Sequence, residues 1–147
     1  MLRIIIKTFN ELTTTELYKL LQLRSEVFVV EQDCVYQDID GKDEKALHIL
    51  GFKNNVIVAY TRVFKPDDYF KEASIGRVVV ATKERKHKYG NEIMLASIKA
   101  INIYYKETTI KLSAQVYLKK FYNSLGFIEE GAEYLEDGIP HVLMIKK

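Results

Sequence analysis

Ile75-Gly76-Arg77-Val78-Val79-Val80-Ala81-Thr82-Lys83-Glu84-Arg85-Lys86-His87-Lys88-Tyr89-Gly90-Asn91 runs from a valine-rich stretch, through a basic turn, into a segment with helical spacing. The β-branched run suits a strand covered on both faces, because branching at Cβ fits a pleated sheet and loses rotamers in a helix. Beyond residue 90, Met94, Ile98, Ile101 and Tyr105 recur at steps of four, three and four, which marks one apolar helix face. A strand that turns into a helix presents the first N–H groups of that helix, which lack partners, together with the positive end of its dipole. This is an anion site, and Lys83, Arg85, Lys86, His87 and Lys88 strengthen it. The turn has neither the G-x-x-x-x-G-K-[ST] spacing of a P-loop nor the G-x-G-x-x-G of a dinucleotide fold.

The rest of the chain can be placed around this segment. Upstream, residues 3–8 form a β-branched opening strand, and Thr13 with Glu16 forms a capping box for a helix carrying Leu17, Leu20, Leu21, Val27 and Phe28 on one face. Arg24 falls on that same face, so it must snorkel to the edge, the expectation here, or find a carboxylate; a pocket-lining role stays open. Residues 31–45 have no period and read as a long polar loop anchored by Tyr36 and Ile39, a length usually tied to function. Residues 46–52 and 56–64 are strands around the hairpin signal Lys53-Asn54-Asn55. Downstream come a strand at 110–114, a helix with Leu118, Phe121, Tyr122 and Leu125 inward and Gly126 as its stop, and two closing strands. The resulting order is strand, helix, loop, three strands, helix, strand, helix, two strands. That predicts one α/β domain over residues 1–147, with a sheet mixing antiparallel meanders and parallel crossovers.

Composition narrows the functional classes. The 22 basic and 20 acidic residues nearly cancel, so no global field attracts nucleic acid, and the local basic run fits a phosphate-bearing small molecule better. Three histidines, at 48, 87 and 141, and one cysteine give no metal-ligand spacing, so no metal is expected. No G-x-S-x-G motif supports a serine hydrolase. No apolar run reaches the ~20 residues of a membrane span, and the first residues are charged too soon for a signal peptide. The lone Cys34 excludes an internal disulfide and fits a reducing compartment; a cytoplasmic location follows as the expectation.

Three blocks carry a family resemblance. Arg85 to Gly90 resembles the [QR]-x-x-G-x-[GA] motif of the GCN5-related N-acetyltransferases (GNAT), with Lys88 where the middle glycine is usual. A lysine is tolerable there if the position takes ordinary helical angles. Leu118-Lys119-Lys120-Phe121-Tyr122-Asn123-Ser124-Leu125-Gly126-Phe127 is similar to that family's FY-x-x-x-GF segment. Leu20 to Gln32, Tyr36 to Asp40, Ile75 to Val78 and Glu136 to His141 resemble the ElaA-like branch of the same superfamily. The resemblance implies a GNAT fold: one mixed, mostly antiparallel sheet, helices on both faces and a splayed central strand pair. It implies acetyl-coenzyme A as acyl donor, bound by Val78, Val79 and Val80 along an open strand edge and by Arg85, Lys86, His87, Lys88, Tyr89, Gly90 and Asn91 at the pyrophosphate. It also implies Tyr122 as the acid for the leaving thiolate, a role that suits a phenol.

The general base is less determined, because residues 74–80 hold no acid. Glu31 and His141 are the leading candidates, ahead of Asp38, Asp40 and His48. Arg24, Asp38, Asp40 and Arg77 are the candidate acceptor-binding residues, and the acids, with Glu31, would favour a cationic acceptor if they face the pocket. The expected partner is an amine-bearing small molecule, peptide or protein, with no nucleic acid and no membrane; pairing of apolar strand edges makes a homodimer a further expectation. Two other readings stay open: a non-catalytic acyl-coenzyme A-binding module, and an interaction protein that docks an acidic partner on the basic turn.

Overall fold

The computed structural model describes residues 1–147. Seven strands form one sheet: β1 (Arg3–Thr8), β2 (Leu47–Lys53), β3 (Val56–Phe64), β4 (Ala73–Val80), β5 (Ile110–Gln115), β6 (Ile128–Glu136) and β7 (Ile139–Lys146), in spatial order β1-β2-β3-β4-β5-β7-β6. Every neighbouring pair is antiparallel except β4 and β5. Three helices cross it: α1 (Thr14–Arg24), α2 (Tyr89–Ala100) and α3 (Lys119–Ser124).

Local sequence accounts for much of this. Thr13 Oγ1 accepts from the Glu16 N–H at 3.0 Å while Glu16 Oε1 accepts from the Thr13 N–H at 2.8 Å, closing the capping box at the start of α1. Asn54 and Asn55 both take positive φ, 51° and 67°, as a two-residue hairpin turn requires, and asparagine tolerates that region. β2 is buried at five consecutive positions because both faces are covered: Leu47 and Ile49 join the cluster under α2, and Leu50 joins Leu20, Leu23, Val27, Tyr60 and Val79 under α1. On α2 the buried stripe is Ile93, Met94, Ser97 and Ala100, continued by Ile101 just beyond its end; Ile98, expected inside, is half-buried beside it.

Two features shape the functional face. α1 does not stop at Arg24 but continues as wider π-type turns over Ser25–Glu31, with N–H bonds reaching back five residues from Gln32 to Val27 and from Cys34 to Val29. β4 carries a bulge: Tyr60 pairs with Val79 and Arg62 with Gly76, so Arg77 and Val78 stand opposite Thr61 alone, and Arg77 takes φ 49°.

Candidate active site

β4 and β5 pair only at Ala73–Ile110 and Ser74–Lys111 and then part, while β5 keeps six successive partners on β7. The wedge between them opens into two clefts. One, about 490 Å³, is lined by Val78, Val79 and Val80 of β4 and by Arg85, Lys88, Gly90 and Asn91 around the start of α2. The other, about 330 Å³, is lined by Arg77, Ser113 and Tyr36 and by Glu136, Asp137 and His141 of the β6–β7 hairpin. Tyr122 lies at their junction and lines both.

The larger cleft has the chemistry of an anion site. No side chain caps α2, so the N–H groups of its first turn are left for a ligand. Lys88 sits in the left-handed region, φ 60° and ψ 27°, which corrects the expectation of ordinary helical angles. A glycine there would be unstrained, which is the physical reason the motif has glycine at this position. Gly90 faces Phe121: a Cβ at 90 would meet Phe121 Cζ at 3.3 Å. Lys86 and His87 point outward and are exposed, while Tyr89 is buried in the main core; none of these three side chains lines the cleft. Arg85 Nη2 donates to Glu31 Oε1 at 2.7 Å, Thr82 Oγ1 donates to the same oxygen, and Arg85 Nε donates to the Val80 carbonyl at 3.3 Å. These partners hold the Glu31 carboxyl below its usual range, the Arg85 hydrogen bond most of all. Glu31 therefore lines the anion cleft as a counter-ion and is absent from the other.

The proposed acceptor residues divide. Arg24 is fully buried, correcting the expectation that it snorkels: its Nε donates to Asp38 Oδ2 at 2.8 Å and its Nη1 to Asp43 Oδ1 at 2.7 Å. Arg62 holds Asp40 through Nη1–Oδ1 at 2.8 Å and Nη2–Oδ2 at 2.6 Å, and reaches Asp43 at 2.9 Å. Arg77 Nε lies 2.8 Å from Asp38 Oδ1, near enough for an ion pair but out of line for a hydrogen bond, and its Nη2 reaches the Asp38 carbonyl at 2.9 Å. Three arginines thus cancel three aspartates. Burial alone would raise the Asp40 carboxyl, but Arg62, the Lys42 backbone N–H and Arg77 together hold it well below the usual range. Of the four residues Arg24, Asp38, Asp40 and Arg77, only Arg77 lines the smaller cleft.

Sequence reasoning nominated His141 and missed its neighbours. His141 Nδ1 is 2.7 Å from the Ile139 carbonyl, which can only accept, so Nδ1 carries a proton and Nε2 is the nitrogen left to exchange one. Nε2 is 3.6 Å from Glu136 Oε2, and the ring stacks on Tyr134. Glu136 and Asp137 are the carboxylates that line this cleft. Asp137 and Gly138 have φ 52° and 77°, a tight two-residue turn that hangs the pair over the opening; the Asp-Gly dipeptide was the available signal. Cys34, whose Sγ donates to the Asp137 carbonyl at 3.3 Å, ties the loop to this hairpin. Tyr122 is 5% exposed, and burial pushes its hydroxyl pKa up, so the phenol keeps its proton at any working pH. His48, by contrast, is buried with Tyr60 and the Asp43 carbonyl, outside both clefts. No group of His, Cys, Asp and Glu side chains is arranged to hold a metal ion, and no helix is long and apolar enough to cross a membrane.

A seven-stranded mixed sheet with a parted parallel pair, and an uncapped helix start at the mouth of the wedge, matches the fold of the acyl-coenzyme A N-acyltransferases. Residues 11–147 match the family model described as "Acetyltransferase (GNAT) domain", and the chain belongs to that family, whose members use acyl-coenzyme A donors. Among curated proteins it is 45% identical to Protein ElaA of Escherichia coli (strain K12) over 140 residues, covering 94% of this chain and 92% of that one. It is 41% identical over 145 residues to UPF0039 protein C11D3.02c of Schizosaccharomyces pombe, covering 97% and 95%. Among solved structures, an acyl-CoA N-acyltransferase from Pseudomonas aeruginosa superposes with a TM-score of 0.94 at 38% identity, each chain covered completely. The crystal structure of Escherichia coli ElaA gives 0.93 at 42% identity, again over both whole chains.

Proposed function

We propose that this chain is an N-acetyltransferase that moves an acetyl group from acetyl-coenzyme A to a primary amine by direct attack. The observation that carries the proposal is the position of Tyr122, a protonated phenol at the junction of an anion cleft and a second cleft that holds a basic imidazole. The pyrophosphate is received by the first-turn N–H groups of α2 with Arg85 and Lys88, and the pantetheine arm lies along the open edge of β4 at Val78, Val79 and Val80. The amine enters from the hairpin side. Its nitrogen attacks the thioester carbonyl, the C–S bond breaks, and the thiolate takes the Tyr122 proton. His141 Nε2 removes the surplus proton of the amine, and Glu136 beside it steadies the imidazolium. Glu31, bound to Arg85, serves the donor cleft instead. The acidic residues facing the acceptor are Glu136 and Asp137, in place of Asp38, Asp40 and Glu31, and they favour a cationic amine.

Calorimetric titration with acetyl-coenzyme A, beside ATP and NAD, tests the first half; thiol release across a panel of primary amines tests the second. Selective binding with amine-dependent release supports the reading. Binding without release from any amine favours a non-catalytic acyl-coenzyme A module, and equal binding of all three nucleotides overturns the donor assignment. Tyr122→Phe is expected to keep donor affinity within about threefold and to lower turnover about a hundredfold, the usual scale for a lost acid. Unchanged turnover would remove Tyr122 from the mechanism.

A further inference from the structure

The cleft that holds His141 does not end at the β6–β7 hairpin. Tyr69, Arg77, Ser113 and Glu136, with Ile75 and Gly76 of β4, also line an adjoining cavity of about 60 Å³. Its remaining walls are Arg62, Phe64, Phe70 and Ser74. The cavity sits at the root of the wedge: Ser74 pairs with Phe64 on one side and Lys111 on the other, and the Ser74–Lys111 pair is the last before β4 and β5 part. It has room for a group of a few heavy atoms.

Ser74 is an unusual choice for its place. A buried position on a central strand, between Ala73 and Ile75, ordinarily takes an apolar side chain, because a buried hydroxyl needs a partner. Yet Ser74 Oγ, on a residue 1% exposed, has no hydrogen-bond partner in the chain, and neither has Nε of Arg62, also 1% exposed. The two η nitrogens of Arg62 are taken by Asp40 and Asp43, and its guanidinium lies 5.1 Å from the Phe64 ring centroid and 5.9 Å from that of Tyr69. Buried polar groups in this condition gain most from a partner brought to them.

The partner's chemistry follows from the walls. The Arg62 Nε–H can only donate, whereas the Ser74 hydroxyl donates and accepts, so the guest has to offer an acceptor oxygen and can use a donor beside it. Ser113 Oγ bonds to the Tyr134 hydroxyl and donates to Glu136 Oε1 at 3.3 Å, while Glu136 Oε2 faces His141 Nε2 at 3.6 Å. Glu136 thus stands between the imidazole and the cavity. A carboxylate on the guest would add a second negative charge beside it, because Asp38, Asp40 and Asp43 already cancel Arg24, Arg62 and Arg77. An alkyl end would leave both buried groups unpartnered. A carboxamide meets each demand: its oxygen accepts from Arg62, its N–H groups donate to Ser74 or Glu136, it carries no charge, and its flat face suits the rings of Phe64, Tyr69 and Phe70.

We propose that this cavity is the specificity pocket for the acceptor, a small amino amide whose amine lies at His141 while its amide group is held by Arg62 and Ser74. This rests on the acyl-transfer reading and names within it the class of acceptor. Neither Arg62 nor Ser74 takes part in the chemistry; they select what is brought to it.

The test gives the full chain and acetyl-coenzyme A three series of primary amines: β-alaninamide and its longer homologues, the matching amino acids, and the matching n-alkylamines. In thiol release, the best amino amide is expected to exceed its carboxylate and alkyl counterparts in kcat/KM by about tenfold or more, since each counterpart leaves buried groups unpartnered or adds a repelled charge. Ser74→Ala deletes the hydroxyl, and Ser74→Val fills the cavity with a side chain suited to a strand. In each, the ratio of amide to alkylamine should fall toward one. Such a ratio is unmoved by a general loss of folded enzyme, so a merely structural serine would leave it at the wild-type value. Equal rates across the three series, a preference for the carboxylates, or a ratio unchanged by both substitutions would overturn the proposal. If acetyl-coenzyme A binds but no amine releases thiol, the acyl-transfer reading fails and binding alone decides the pocket. Shifts of the Ser74 and Gly76 backbone N–H resonances with the amino amides and not with the alkylamines would then support it, and their absence would overturn it.

Discussion

Glu31 illustrates how a residue's neighbours decide its chemistry. By type it is a candidate base, yet Arg85 and Thr82 occupy both its oxygens and hold it ionised in the anion cleft. On the proposed reading, Arg85 exchanges this carboxylate for the pyrophosphate when the donor arrives. The pair is exposed, and exposed ion pairs are worth about 0–1 kcal/mol, so Glu31→Gln should tighten acetyl-coenzyme A binding by up to about fivefold. Weaker binding in calorimetry would show instead that Glu31 orients the arginine. Lys88 makes the complementary case. Its left-handed backbone costs about 1 kcal/mol that glycine would not incur. Lys88→Gly should therefore raise stability by about that amount in urea denaturation, while donor binding weakens by the loss of one exposed charge. A less stable variant would mean that the lysine side chain returns more than the strain it imposes. The motif made this position visible in the sequence; its φ did not follow from the motif, because a turn's angles depend on where the strand before it and the helix after it are packed.

At the scale of elements, the loop over residues 31–45 is the informative piece. It has no hydrophobic period because it is held by charge: Asp38, Asp40 and Asp43 bind Arg24 of α1, Arg62 of β3 and Arg77 of β4. The capping box of α1 was legible since both partners lie within one turn. Arg24 was not, since its partners lie 14 and 19 residues away across an aperiodic segment and only folding brings them together. The widened turns over Ser25–Glu31 were equally hidden, because their residues carry the same apolar spacing as an ordinary helix. Removing one member of a buried charge network leaves its partners uncompensated, at a cost of about 3–5 kcal/mol. Arg24→Met, which keeps the stem and deletes the charge, is expected to lose stability on that scale and to loosen the loop, seen as faster amide exchange across residues 36–43. A loss below about 1 kcal/mol would mean that Arg62 and Arg77 suffice to neutralise the three aspartates.

For the molecule as a whole, element order and the alternation of covered faces could be read from the sequence; the extent of each pairing could not. Nothing in the residues of β4 and β5 announces that they share only two pairs, because the parting depends on β5 being held along its length by β7 and on the bulge at Arg77. The same tertiary placement makes stability depend on pH through His48. Its Nε2 lies 2.9 Å from the Asp43 carbonyl and must donate, so Nδ1 accepts from the Tyr60 hydroxyl at 2.6 Å, and the ring is folded as a neutral imidazole. Burial lowers its pKa from the ordinary value near 6.5, with the charges of Arg24 and Arg62 adding to the effect and Asp43 opposing it. The unfolded chain then binds a proton that the folded chain refuses. The stability from this group is complete above about pH 6.5 and falls as pH drops below that value, by at most about 1.4 kcal/mol per pH unit. Asp40 and Asp43, whose pKa values are also lowered in the fold, add their loss only below about pH 4. Urea midpoints measured from pH 8 to pH 3 should thus be level to pH 7, decline from about 6.5, and drop again below 4. His48→Gln, whose amide offers one donor and one acceptor, should remove the first decline and keep the second; a wild-type curve level down to pH 4 would show that His48 takes up its proton without disturbing the fold.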